Sequence, residues 1–144
     1  NSGLEVSLSM AWSSEGYDKM TCEAVVHIVD DDVNVLESTA MLLKLLGHRV
    51  RTWNSAFCFL EKLSLSEGHI VLLDLRMPEH DGFAVFRKLR AARYQNAVVL
   101  MTGHGDSDLE AEAIALGLSA ILHKPFSEHE LIAAIEGAKV SELR

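Results

Sequence analysis

From Ala24 onward, short runs of consecutive apolar residues alternate with segments in which apolar residues recur every three or four positions. The first pattern fits parallel strands covered on both faces, and the second fits amphipathic helices. Val25 to Val29 is a β-branched run of the first kind. Leu36, Ala40, Leu43 and Leu46 follow at helical spacing, with Gly47 where a left-handed helix cap belongs. His48 to Trp53 is a weaker strand, after which Asn54 or Ser55 can cap a short helix carrying Phe59, Leu60 and Leu63. Ile70 to Leu73 is wholly apolar and ends at Asp74, the pattern of a buried central strand. Asp81 and Gly82 introduce a third helix, with Phe83, Phe86 and Leu89 on one stripe, and Ala97 to Met101 form a fourth strand ending at Thr102. Asp106 can cap a fourth helix that runs through Leu116 and closes at Gly117. Ala120 to Leu122 give a short fifth strand before Lys124 and Pro125. Ser127 and Glu130 form an S-x-x-E capping box ahead of Leu131, Ile132 and Ile135, which starts a fifth helix at Ser127.

Five βα units with short links predict an α/β protein: a doubly wound, five-stranded parallel sheet with five helices. The 144 residues suit one domain, since single domains commonly hold roughly 100 to 150. Residues 1–23 lack a sustained helical period and are expected to be a flexible leader or upstream extension. Leu4, Val6, Leu8 and Met10 alternate with polar residues and leave a stray strand as the alternative. Met20 is a natural start just ahead of the first strand, and the preceding segment has no signal-peptide core. The folded domain is expected over 24–140, and 141–144 as the start of a linker or tail.

Composition narrows the function classes. Hydrophobic residues make up 49% of the chain and charged residues 24%, and no apolar run approaches the roughly 20 residues that span a bilayer. A cytoplasmic protein without a membrane partner is expected. Formal net charge is -8 and no basic stripe is present, so direct nucleic-acid binding is not expected. Cys22 and Cys58 form no CxxC pair and read as reduced thiols. The seven histidines form neither HxxxH nor HExxH and read mostly as surface or loop residues.

The chemistry gathers at strand ends. Asp30 and Asp31, then Asp74, then Thr102, then Lys124 each stand at or just beyond the last apolar residue of a strand, and doubly wound sheets place their sites at that edge. Three carboxylates in one pocket repel one another unless cations compensate. Lys124 supplies one positive charge. The all-oxygen ligand set suits a hard divalent ion, and Mg²⁺, which takes one or two carboxylates and bridges to phosphate, is the expected metal. A lone strand-end carboxylate can act as nucleophile toward phosphorus, which assigns Asp74 as acceptor, with Thr102 and Lys124 holding phosphoryl oxygens.

Four strings, VDDD at 29–32, LLDLRMPEHDG at 72–82, MTG at 101–103 and HKPF at 123–126, resemble the receiver domains of two-component response regulators over about residues 24–138. The wording of VHIVDDD, DLRMP and TGHGD is most similar to the FixJ-like group. The resemblance implies a flavodoxin-like fold with strand order 2-1-3-4-5. It further implies Mg²⁺ held by Asp31, Asp74 and the backbone carbonyl of Arg76, Asp30 assisting through water, and a cis Lys124–Pro125 peptide. Gly103 would keep the approach to the phosphate open, and Arg76 and His104 would influence the lifetime of the acyl phosphate. The implied partner is a sensor histidine kinase or phosphotransfer protein, with a homodimer through the fourth helix, fifth strand and fifth helix as a further possibility. The output would be control of a partner or of an output domain, by a chain that catalyses only its own phosphorylation and dephosphorylation. One departure is Ile121, which stands where family members often carry Tyr or Phe, so an aromatic rotamer readout is not expected.

Plainer readings exist for each feature. Asp30 to Asp32 taken alone could be a solvated helix N-cap, and Asp32 is expected to be only that. Lys124 alone would be a surface lysine. Leu109, Leu118, Ile121 and Leu122 fit either the core or a partner-facing surface. A haloacid-dehalogenase-type phosphatase also uses a strand-end Asp and Mg²⁺, but it needs a second acid two residues later, where this chain has Arg76. An unphosphorylated interaction module that keeps only the fold is disfavoured by the intact set of Asp30, Asp31, Asp74, Thr102 and Lys124.

Overall fold

A computed structural model describes residues 25–62, 69–77, 81–94, 96–103 and 107–142. Strands β1 (Val25–Val29), β2 (Arg49–Trp53), β3 (His69–Asp74), β4 (Val98–Thr102) and β5 (Ala120–His123) alternate with helices α1 (Val33–Leu45), α2 (Ala56–Lys62), α3 (Gly82–Ala91), α4 (Ser107–Leu116) and α5 (Glu128–Glu142). All strand pairs are parallel, in the order β2-β1-β3-β4-β5. This is the doubly wound sheet that the alternating patterns predict. The chain winds outward from β1 to β2, then returns past β1 to β3, so β1 and β3 flank the topological switch point.

Side chains alternate across the sheet with period two, and the two faces carry separate apolar layers. Val26, Ile28, Ile70, Leu72, Val99 and Met101 pack with Leu36 and Leu43 of α1 and Leu131 and Ile135 of α5. Val29, Val71, Leu73 and Val98 face the other way, onto Phe59 of α2 and Val85, Phe86 and Leu89 of α3. Burying one such Leu or Ile side chain contributes about 1.5 to 3 kcal/mol. A smaller cluster of Leu75, Phe83, Leu100 and Ala113 fixes α4.

Helix ends follow their sequence signals. Asp32 caps α1 by accepting from the amides of Asn34 and Val35, Asp81 caps α3 through Ala84, and the Ser127–Glu130 box closes reciprocally at 2.8 and 3.0 Å. The amide of Cys58 donates to Ser55 Oγ at 3.3 Å, which selects Ser55 over Asn54 at α2. Gly47 and Gly117 adopt φ of +95° and +92°, a left-handed conformation that ends α1 and α4 at little cost for glycine. The expected cap Asp106 and the expected core residue Leu63 lie outside the described residues, as do residues 1–24, with their candidate strand and Cys22.

One expectation is corrected. Leu46, placed on the core stripe of the first helix, is 40% exposed, because it is the C-cap residue and its backbone has already left helical geometry. His27, inside the run that predicts β1, is buried against Phe59 of α2, where Trp53 Nε1 donates to its Nδ1 at 3.1 Å and its Nε2 lies 2.8 Å from Nδ1 of His69. An imidazole whose two nitrogens both find partners is tolerated where an unpaired one would be costly.

Candidate functional site

Strand register assembles the site. Val29 pairs with Leu73, so Asp30 and Asp74 stand at the same level on neighbouring strands. Asp74 pairs with Met101, one residue before Thr102, and Thr102 pairs with His123, one residue before Lys124. Carboxylate oxygens of Asp30, Asp31 and Asp74 all lie within 4.8 Å of one another. Asp30 and Asp74 are buried and Asp31 is exposed, which leaves the cluster open to solvent on the Asp31 side.

Lys124 reaches back from the end of β5 into this cluster. Its ammonium donates to Asp30 Oδ2 at 2.7 Å and to Asp74 Oδ1 at 3.1 Å. Asp30 Oδ1 also accepts from the amide of Asp32 at 2.9 Å, so both oxygens of this fully buried carboxylate are engaged. Burial, and then the charge of Asp30, push the Asp74 carboxyl up to about 6, with Lys124 opposing. For Lys124, burial acts downward, but the hydrogen bonds and charges of Asp30 and then Asp74 outweigh it and raise its pKa. The ammonium is therefore firmly charged, while ionisation of Asp74 is opposed.

The donors of the cluster are three carboxylates, with neither nitrogen nor sulfur, and they carry more negative charge than one lysine neutralises. That set fits a hard divalent cation such as Mg²⁺. Arg76 lies two residues past Asp74 in an exposed loop. The Lys124–Pro125 peptide is cis, as the resemblance implies. Gly103 is exposed, and a Cβ built there meets nothing within 4 Å. His104 lies outside the described residues.

Thr102 is buried at the end of β4, and its Oγ1 lies 3.3 Å from Nδ1 of His123. Nε2 of His123 in turn lies 3.2 Å from Oε2 of Glu110 in the first turn of α4. This contact was not legible in advance. His123 stood inside the HKPF string, but which way it points follows from the β5 register. Leu118 and Ile121 pack partly buried against the molecule's own core, and Leu122 is buried in it, which resolves their alternatives for this chain toward packing.

A parallel sheet ordered 2-1-3-4-5, with an acidic cluster and a lysine at its carboxyl edge, is the architecture of phosphorylatable signalling domains. The profile of the response regulator receiver domain matches residues 26–136, and the chain belongs to that family. It is a receiver domain of a two-component response regulator. Among curated proteins, it is 42% identical over 115 residues to the tetrathionate response regulatory protein TtrR of Salmonella typhimurium, covering 80% of this chain and 56% of that protein. It is 42% identical over 114 residues to the transcriptional regulatory protein FixJ of Azorhizobium caulinodans, covering 78% and 54%. The crystal structure of FixJ-N superposes with a TM-score of 0.77 at 34% identity, covering 82% of this chain and 94% of that one. The chain spans about half the length of the curated relatives it matches. Receiver domains bind Mg²⁺ at an acidic pocket and work with histidine kinases. Among the described residues, no helix is long and apolar enough to cross a membrane.

Proposed function

We propose that Asp74 accepts a phosphoryl group from a phosphohistidine of a partner histidine kinase or phosphotransfer protein. The carrying observation is the ammonium of Lys124 bridging Asp30 and Asp74 at 2.7 and 3.1 Å, beside a third carboxylate, Asp31. An oxygen of Asp74 attacks phosphorus, an acyl phosphate O–P bond forms, the P–N bond to the donor imidazole breaks, and that nitrogen leaves with the bonding pair. Hydrolysis by water returns inorganic phosphate and the free carboxylate. Asp31, Asp74 and the backbone carbonyl of Arg76 would hold Mg²⁺, with Asp30 assisting through water. The ion, when bound, neutralises the charge of the pocket and of the phosphoryl oxygens. Thr102 donates its hydroxyl proton to one phosphoryl oxygen and Lys124 an ammonium proton to another.

The consequence is a change on the α4–β5–α5 face, where Ile114 is 71% exposed, that controls an output domain or partner and can include homodimerisation. The same reading makes residues 24–140 the receiver unit of a cytoplasmic transcriptional regulator, with 1–23 a leader or upstream extension and 141–144 the start of a linker or tail. It assigns this chain no direct contact with nucleic acid.

The decisive experiment is labelling by a small phosphodonor in the presence of Mg²⁺. Wild type is expected to acquire an alkali-labile label and Asp74→Asn none. Equal labelling of the two would remove Asp74 from the role.

A further inference from the structure

Thr102 has one hydroxyl proton, and at the end of β4 it faces a competitor for the phosphoryl group. Glu110 is a carboxylate that can only accept, so Nε2 of His123, 3.2 Å from it, carries a proton. In the neutral imidazole Nδ1 is then bare, and at 3.3 Å the hydroxyl of Thr102 is its donor. The three groups form a chain from the floor of the site to the first turn of α4. Thr102 is buried, whereas the side chains of His123 and Glu110 are 56% and 32% exposed, so the far end of the chain is free to move while its root is not. Ile121, two residues before His123, is held in the apolar cluster with Phe83 and Leu100 and offers no polar group.

The geometry points to His123 as the positioning residue that passes the state of Thr102 to α4. This inference rests on the acceptor role proposed for Asp74. When a phosphoryl oxygen takes the Thr102 proton, Nδ1 of His123 loses its donor, and the imidazole remains tied only to Glu110. The contact that fixes the first turn of α4 to β4 is thereby released, and α4 becomes free to shift. In the unloaded state the same contact holds α4 against the sheet, and each of the two partners, phosphoryl or imidazole, competes for one proton.

The test uses the full chain with Mg²⁺ and beryllofluoride at pH 8. Ring nitrogen resonances of His123 and backbone amides of α4 are followed in wild type, His123→Ala and Glu110→Gln. In wild type, loading is expected to move the Nδ1 resonance and the amides of the first turn of α4 together. His123→Ala is expected to load as wild type does, but with α4 amides already displaced before loading and their further response reduced several-fold. Glu110→Gln is expected to reduce the α4 response while the Nδ1 resonance still moves. An Nδ1 resonance unmoved by loading, or an undiminished α4 response in His123→Ala, would overturn the inference while leaving the acceptor role intact. Failure of the wild type to load would overturn both.

Discussion

The ammonium of Lys124 lies 2.7 Å from a carboxylate oxygen of Asp30, a residue 94 positions earlier in the chain. The two meet because β1 and β5 end at the same edge of one sheet, with β3 and β4 between them. Lys124 is the cation on which two buried carboxylates depend in the metal-free site. Replacing it by methionine keeps an unbranched side chain of nearly the same length and removes the charge. Lys124→Met is expected to destabilise the metal-free domain by about 3 to 5 kcal/mol, because breaking a buried ion pair leaves an uncompensated charge. The deficit should shrink in saturating Mg²⁺, which supplies the missing positive charge. Urea unfolding with and without Mg²⁺ checks both statements.

The Asp74 carboxyl, raised from 3.8 to about 6, sets a pH dependence of opposite sign to that of most acids. A raised acid stabilises the fold while it is protonated, so its contribution is complete below about pH 4 and is lost as pH rises through 6. Without metal, ionisation of this one group should cost on the order of 2 to 3 kcal/mol by pH 7. Asp74→Asn, uncharged throughout, is expected to be more stable than wild type at pH 7 in the absence of metal. A denaturation series from pH 4 to 7 that shows no divergence between the two would contradict the assignment of strain to this carboxyl.

His27 carries the converse dependence. Burial first, then the nearby His69 and Arg51, lower it from 6.5 to about 4. Stability linked to its neutral form is present above pH 6.5 and is lost as pH falls toward 4, for a total of about 3 kcal/mol. Protonation at Nδ1 also ends its role as acceptor for the indole N–H of Trp53. In the Asp74→Asn background, which removes the opposing titration, His27→Gln is expected to flatten the decline between pH 6.5 and 4. Chemical denaturation at several pH values reads the two slopes, and identical slopes would exclude His27 as their source.

Gly82 fits where no other residue can. A Cβ there would lie 2.9 Å from the backbone oxygen of Asp74, the Cα of Leu75 and Cδ1 of Leu100. Its amide also donates to the Leu75 carbonyl at 2.7 Å, locking the start of α3 onto the end of β3. Gly82→Ala is expected to cost about 1 to 3 kcal/mol through overpacking. Because two of the three atoms belong to the backbone around Asp74, phosphoryl labelling should fall as well. Thermal unfolding together with the rate of labelling by a small phosphodonor measures both effects.

Much of this protein is local, and local features were legible. Runs such as Ile70 to Leu73, the capping residues Asp32, Asp81 and Ser127, and the left-handed Gly47 express periodicity and backbone sterics over a few residues, and each forms as its neighbours dictate. The gathering of Asp30, Asp31, Asp74 and Lys124 was legible for a related reason: each stands at or just beyond the stop of an apolar run, and parallel strands bring such stops to one edge. Leu46 fits the helical stripe equally well, but the helix ends there, and a period does not say where its last turn frays.

Register and side-chain direction belonged to the tertiary structure alone. His27 interrupts a β-branched run, and only the pairing of β1 with β2 and β3 sets it between Trp53 and His69, where a polar ring can be buried with both nitrogens engaged. Likewise, His123 meets Thr102 and Glu110 because β5 stops level with β4 and α4 begins above both. Contacts between residues distant in sequence depend on how whole elements pack, and their geometry is decided by the sum of the core rather than by any segment within it.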